Sequence, residues 1–173
     1  WREDIKVRKA DMGREDGPEM NLTLFEASRA LEPVWELGDV RVLATRVQHD
    51  PVIPSVGYRI ESPDGVVAIT GDTTVCDEVG LLAEGADVLV HEAMLSEAVI
   101  GTPRESIMHY HSDSVGIGET AKSAGVKSLM LTHMIPAPDA IENGVARYEA
   151  AVRSGGFTGS LVVGEDLDRV EYG

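Results

Sequence analysis

Cysteine, aromatic residues and long apolar runs are all scarce in this sequence. Of the 173 residues, one is cysteine and 5% are aromatic. The single cysteine, Cys76, excludes a disulfide within the chain and leaves the redox compartment undetermined. No stretch approaches the ~18 apolar residues of a membrane-spanning helix. The sequence therefore predicts neither a disulfide-stabilised scaffold nor a helical membrane span.

Basic residues are also few, with 15 against 30 acidic residues and a formal net charge of −15. Such a surface repels phosphate backbones, and the chain has no Lys/Arg cluster of the kind that follows a nucleic acid. Nucleic acid is therefore an unfavoured partner on composition. The 43% hydrophobic content and the chain length suit one domain with a substantial core.

Three short apolar runs are each followed by residues that bind metals or transfer protons. Because the strand ends of one α/β sheet converge on one crevice, we expect their side chains to meet there. A carboxylate combined with imidazoles suits Zn²⁺, Mn²⁺ or Fe²⁺. The residues that follow the runs are Asp72, His91, Glu92 and His133.

The apolar pattern changes at Asp72, and this change predicts the fold class. Before it, strands at 40–47, 56–60 and 66–69 form an antiparallel meander, with a Pro-Asp-Gly turn between the last two. Residues 1–38 are less regular and suit a protruding hairpin or flap. The edge strands predicted within this segment are Ile5–Arg8 and Asn21–Phe25.

After Asp72, helices and strands alternate along the chain, which predicts an α/β (α+β) fold with a mixed sheet and helices on one face. Helices are expected at 77–84, after a Ser112 cap, and from Pro138 to the Gly155-Gly156 pair. The last predicted strands are 160–163 and 169–172.

Asp72 itself has two interpretations. An Asp-Thr-Thr sequence before a helix is a common N-terminal cap. A carboxylate at a strand end, near histidines from other strands, is equally typical of a metal site. The sequence physics leaves these two interpretations equal, and a third, in which the aspartate and the histidines are only structural, also stands.

The sequence contains five motifs in this order: Gly57–Ile60, Thr70–Thr73, Ala86–Ala93, His111-Ser112 and Leu131–His133. In their order and spacing they resemble the C-terminal half of a metallo-β-lactamase-fold hydrolase, with ribonuclease Z and the arylsulfatase-like enzymes as the nearest branch. The resemblance implies an αββα sandwich, with residues 39–173 as the C-terminal half and 1–38 as an insertion between the halves.

The resemblance also implies a role for four residues. Asp72 would bridge two divalent ions, with zinc favoured and manganese or iron as alternatives, and His133 would bind the second ion. His111 would protonate the leaving group, and Glu92 would orient the His111 ring. His109 remains an alternative proton donor. A metal-activated water with a separate imidazole acid is a consistent mechanism for hydrolysis.

Two departures from the family pattern shape the expected function. The family's His-x-His-x-Asp-His motif is absent, so the chain is expected to be a fragment whose missing N-terminal half supplies the remaining ligands. Met134–Pro138 replaces the Phe-Ser-x-Arg-Tyr sequence usual in ribonuclease Z. With the acidic composition, this favours a small ester-type substrate such as an aryl sulfate, phosphodiester or lactone.

Two other functions remain as alternatives. One is a ribonuclease Z-like endonuclease that processes tRNA 3′ ends, and the other is a catalytically inactive binding module. A homodimer is one expected assembly.

Overall fold

The computed structural model describes residues 23–172, together with Lys6 and Ala10. Within these residues, seven strands form one sheet whose spatial order follows the order along the chain. The strands are β1 (Glu32–Leu37), β2 (Val40–Val47), β3 (Ser55–Ser62), β4 (Gly65–Ile69), β5 (Val88–Met94), β6 (Ser128–Ile135) and β7 (Ser160–Val163).

Strands β1 to β4 pair antiparallel, and this confirms the predicted meander. The Pro-Asp-Gly turn joins β3 to β4, with Ser62 paired to Gly65. Strand β1 was not predicted, because Pro33 interrupts its pattern and most of its side chains are exposed. It is an edge strand that lies within the predicted 1–38 segment. The division of the chain at residue 38 stays a prediction.

The two edge strands predicted near the start of the chain are not supported where the structure describes them. Thr23, Leu24 and Phe25 lie outside any strand, and Lys6 is helical. The remaining residues of both predictions lie outside the described residues.

Strands β4 to β7 pair parallel, and helices fill the connections between them. Parallel neighbours need such crossovers, which explains the change of pattern after Asp72. The helices are α1 (Asp77–Ala83), α2 (Ser96–Val99), α3 (Ser114–Ser123) and α4 (Gly144–Ser154), with 3₁₀ turns at Glu105–His109 and Pro138–Ala140.

Two predicted helix starts and one predicted strand are wrong. The side chain of Asp113, and not that of Ser112, caps α3 by accepting a hydrogen bond from the Val115 amide (3.1 Å). Pro138 begins only a 3₁₀ turn, because Asn143 adopts a left-handed backbone (φ 54°) and α4 starts separately after it. Residues 169–172 form no strand.

One face of the sheet packs against α1, α3 and α4 to form the core. Ala68, Leu89 and Leu129 occupy one cross-strand row and are fully buried. Helices α3 and α4 cross so closely that a Cβ on Gly118 would lie 2.1 Å from the carbonyl oxygen of Val152. Other buried members of this core are Leu82, Ile117, Leu131 and Tyr148.

The opposite face of the sheet is less covered by the described residues. Tyr58 and Ile69 are 37% and 40% exposed, and they share a row with the half-buried Val90. Of the four layers expected for an αββα sandwich, residues 23–172 therefore provide one sheet and one layer of helices. None of the described helices has the length and apolarity that crossing a membrane requires.

Candidate active site

The site lies where the carboxyl ends of β4, β5 and β6 meet. Asp72, His111 and His133 each offer one ligand atom, and these atoms lie within 4.8 Å of one another. Asp72 stands just beyond β4, after Gly71 turns the backbone with a positive φ of 63°. His133 belongs to β6, whereas His111 lies in the connection between β5 and β6. The convergence of strand ends thus brings Asp72 and His133 together.

Asp72 and His133 form the exposed part of the site. The Oδ2 of Asp72 lies 3.4 Å from the Nε2 of His133, and their side chains are 41% and 55% exposed. His133 adopts a φ of 45°, which costs a non-glycine residue ~1–3 kcal/mol and is concentrated at functional sites. The Oγ of Ser55 donates to the Asp72 carbonyl (2.9 Å) and holds this turn in place.

Glu92 occupies the buried part of the site and connects three elements. Its Oε1 accepts hydrogen bonds from the amides of Thr73 (3.2 Å) and Ser112 (3.0 Å), and it lies 3.1 Å from the Nδ1 of His111. Burial raises the pKa of Glu92 to about 8, although the two amides oppose the shift. Glu92 therefore fixes the backbone on both sides of the site and the ring of His111.

His111 is buried between Glu92 and the two exposed residues. Burial lowers its pKa, and the nearby carboxylate of Asp72 acts in the opposite direction. Because Nδ1 faces Glu92, Nε2 is the nitrogen left to act at the cluster. The Oγ of Ser112 donates to the Thr73 carbonyl (2.7 Å) instead of capping a helix.

His91 and His109 do not join this cluster. His91 shares a row with Leu131 on the face of the sheet that packs against the helices, because side chains alternate along β5. Its Nδ1 lies 2.6 Å from the Glu92 carbonyl oxygen, and burial lowers its pKa to about 4. His109 is exposed on the 3₁₀ turn.

His49 lies beside the cluster, although the sequence reasoning did not include it. Its Nε2 is 4.0 Å from the Oδ2 of Asp72, and its ring meets that of His111 edge to face at 5.2 Å. The available signal was its position two residues beyond β2, which is a strand-end position like those that identified the other residues. The antiparallel pairing of β2 hid this signal.

The donor chemistry of the cluster fits a divalent transition-metal ion. A carboxylate and two imidazoles that can approach one point are the ligands that such ions prefer. The alternative interpretation of Asp72 as a helix cap is wrong, because Cys76 occupies the N-cap position of α1. The resemblance implies divalent metal binding with Asp72 and His133 as ligands, and these two residues with His111 form a candidate site for it.

The chain is similar to a known protein family and to curated ribonucleases. Residues 8–134 match the family model described as a beta-lactamase superfamily domain. The ribonuclease Z of Mycobacterium tuberculosis strain H37Rv is 38% identical over 142 residues, which are 80% of this chain and 51% of that protein. The chain spans about half the length of most of the curated relatives it matches.

Solved structures share the fold. The metallo-β-lactamase fold protein YhfI from Bacillus subtilis aligns with a TM-score of 0.55 and 23% identity, over 76% of this chain and 48% of that one. Igni18, a metallo hydrolase from Ignicoccus hospitalis, aligns with a TM-score of 0.54 and 17% identity, over 93% and 64%. The predicted metallo-β-lactamase fold is confirmed, and so is the resemblance to ribonuclease Z.

The prediction that nucleic acid is an unfavoured partner is wrong. Composition indicated that nucleic acid is unfavoured, and together with the Met134–Pro138 sequence it favoured a small ester substrate, but the relatives at 38% identity are ribonucleases. Net charge averages over the whole surface, whereas cleavage depends on the few groups that meet the scissile bond. An acidic chain can therefore belong with enzymes that act on RNA.

Proposed function

The chain belongs to the metallo-β-lactamase superfamily, and we propose that the protein hydrolyses phosphodiester bonds in RNA as a ribonuclease Z-type endonuclease. One observation carries the proposal: the cluster of Asp72, His111 and His133 lies at the strand ends of a chain that is 38% identical to ribonuclease Z. Among the substrates of such enzymes, a precursor tRNA with a 3′ trailer is the one to test, as the sequence resemblance implies.

We assign metal binding to Asp72 and His133. Their donor atoms lie 3.4 Å apart and are accessible, so a divalent ion can reach both. Asp72 would be shared between two ions, with zinc favoured. A bound ion supplies a water of lowered pKa as nucleophile and stabilises the charge that develops on the phosphate.

His111 is assigned as the group that protonates the leaving oxygen. Glu92 holds its Nδ1 at 3.1 Å, so its Nε2 is available to deliver a proton to the departing alkoxide. The proton passes from Nε2 to that oxygen as the phosphorus–oxygen bond breaks. Glu92 fixes the orientation of the His111 ring through this contact with Nδ1.

The experiment uses the purified full-length gene product loaded with Zn²⁺ or Mn²⁺. It is incubated with a precursor tRNA transcript and, separately, with bis(p-nitrophenyl) phosphate. We expect endonucleolytic cleavage of the transcript at one position, and loss of that cleavage in Asp72→Asn.

Asp87→Asn is the matched control, because it makes the same change at the opposite end of the sheet, where Asp87 bonds to Lys127. This variant should cleave normally. A metal-loaded protein that leaves the transcript intact would contradict the proposal and would favour an inactive binding module, while normal cleavage by Asp72→Asn would contradict the assignment of the site.

A further inference from the structure

His49 has contacts on two sides that give it a defined orientation. Its Nδ1 lies 2.7 Å from the carbonyl oxygen of Tyr110, and a carbonyl only accepts hydrogen bonds. Nδ1 therefore carries the hydrogen and donates it. Nε2 is then directed toward Asp72, at 4.0 Å from Oδ2. The side chain is only 13% exposed, which leaves the ring little freedom to turn.

The segment that carries His49 is attached to the turn that carries Asp72. The Gln48 amide donates to the Oγ1 of Thr73 (3.1 Å), and the Thr74 amide donates to the Gln48 carbonyl (2.7 Å). Gln48 also donates through its side chain to Glu78 at the start of α1 (3.3 Å). These bonds fix the backbone of His49 relative to Asp72.

The contact with Tyr110 reaches the residue directly before His111. On the other side of His111, the Ser112 amide donates to Glu92 at 3.0 Å. The backbone of His111 is thus held before and after the residue, by His49 on one side and by Glu92 on the other. The rings of His49 and His111 also meet edge to face at 5.2 Å, and that contact limits the motion of the His111 ring.

We propose that His49 is a positioning residue, which holds the segment with His111 against the turn with Asp72 through the hydrogen bond from Nδ1 to the Tyr110 carbonyl. The inference rests on the proposed function, because it gives His111 its role as proton donor. His49 acts through His111, and a shift of ~1 Å in a reacting group can lower turnover by ~10²-fold.

Two substitutions separate the two nitrogens of His49. In His49→Asn, the side-chain amide stands near the position of Nδ1 and can still donate to Tyr110. In His49→Gln, the longer side chain places the amide near the position of Nε2 and loses that bond. His109→Gln is the matched control, because His109 is exposed on the adjacent 3₁₀ turn.

We expect His49→Gln to reduce turnover of the precursor tRNA by ~10²-fold, while His49→Asn keeps most of it and His109→Gln keeps all of it. The metal content of all variants should equal that of wild type. In a His111→Ala background, His49→Gln should cause no further loss, because a residue that acts through His111 has nothing left to position.

A second readout does not depend on catalysis. In the metal-free protein, ¹H–¹⁵N NMR of the histidine rings should show that His49→Gln moves the His111 signals and that His49→Asn leaves them in place. If the wild-type protein cleaves no RNA, the proposed function fails, and these spectra still test the positioning of His111.

Three outcomes would overturn the inference. Retained turnover in His49→Gln with loss in His49→Asn would assign the role to Nε2 at Asp72. Additive losses in the double variant would show that His49 acts independently of His111. Unchanged His111 signals in His49→Gln would show that the Tyr110 contact positions nothing.

Discussion

At the amino ends of β4, β5 and β6, Asp87 is fully paired with its neighbours, whereas toward the carboxyl ends a buried oxygen of Glu92 has no partner among the described residues. Asp87 accepts hydrogen bonds from the Val66 amide (2.7 Å) and from Lys127 (2.6 Å). Nearer the opposite end, within the described residues, Oε2 of Glu92 is buried without a hydrogen-bond partner.

The backbone shows the same contrast. His133 adopts a left-handed φ of 45°, and the pairing of β5 with β6 is irregular between Glu92 and Met94. At the amino ends the register of these strands is regular, and the Ser128 amide donates to the Asp87 carbonyl (2.9 Å). At the amino ends, hydrogen bonds therefore hold neighbouring strands together. At the carboxyl ends, the backbone tolerates strain that arranges reactive groups.

The largest expected effect concerns His111 at the carboxyl end. His111→Ala should lower turnover by about 10²–10⁴-fold, as is typical for loss of a general acid, while the metal content is unchanged. The loss should be smaller for bis(p-nitrophenyl) phosphate, because its leaving group needs little proton assistance. Steady-state kinetics on both substrates measure this.

His109→Ala provides the control for this prediction, since that residue is exposed and lies outside the cluster. It should leave the dependence on the leaving group intact. Equal loss on both substrates in His111→Ala, or loss of metal, would assign His111 to metal binding or to structure.

Substitutions of Glu92 should show how much this residue stabilises the fold at the carboxyl ends of the strands. Glu92→Ala leaves the buried amides of Thr73 and Ser112 without their acceptor, and each such group costs ~1–3 kcal/mol. Glu92→Gln retains an acceptor oxygen and should lose less. Urea unfolding of both variants measures the difference. Equal stability of the two variants would show that the hydrogen bonds from these amides to Glu92 do not stabilise the fold.

The strained backbone of His133 predicts a smaller effect on stability, in which glycine is favoured over alanine. His133→Gly should be more stable than His133→Ala by ~1 kcal/mol, because glycine adopts a positive φ without a clash. In ordinary strand positions, alanine is the more stable of the two. Thermal unfolding of the metal-free variants tests this, and a more stable alanine variant would show that the backbone carries no strain.

The smallest expected effect lies at the amino end and depends on pH. The hydrogen bond from Lys127 holds the pKa of Asp87 below its usual range, with help from the Val66 amide. A carboxyl whose pKa is lower in the folded state stabilises the fold above its unfolded pKa, and this contribution is lost as pH falls through the folded pKa.

The stability advantage of wild type over Asp87→Asn should therefore be constant near neutral pH and shrink below about pH 4. Urea unfolding of both proteins between pH 3 and 7 measures it. An advantage that stays the same down to the lowest pH would contradict the pairing of Asp87 with Lys127.

From the sequence, the residues at the carboxyl ends of the strands could be predicted better than the contacts that surround them. Asp72 and His133 were found because apolar runs with strand periodicity stop directly before them, and this signal is local. The break at Asn143 was missed although Asn143-Gly144 is a local turn signal, because the apolar stripe from Ile141 to Val152 continues across it. His49 was missed because β2 belongs to the antiparallel meander, so its position after that strand did not indicate convergence with Asp72.

Metal content is the most direct test of the contrast between the two ends. The full-length wild type, Asp72→Asn and Asp87→Asn would be purified in metal-replete medium and measured by elemental analysis. We predict that wild type and Asp87→Asn carry equal divalent metal and that Asp72→Asn loses it, because Asp72 supplies the carboxylate of the cluster. Wild-type metal content in Asp72→Asn, or no metal in wild type, would contradict a metal site at the carboxyl ends of the strands.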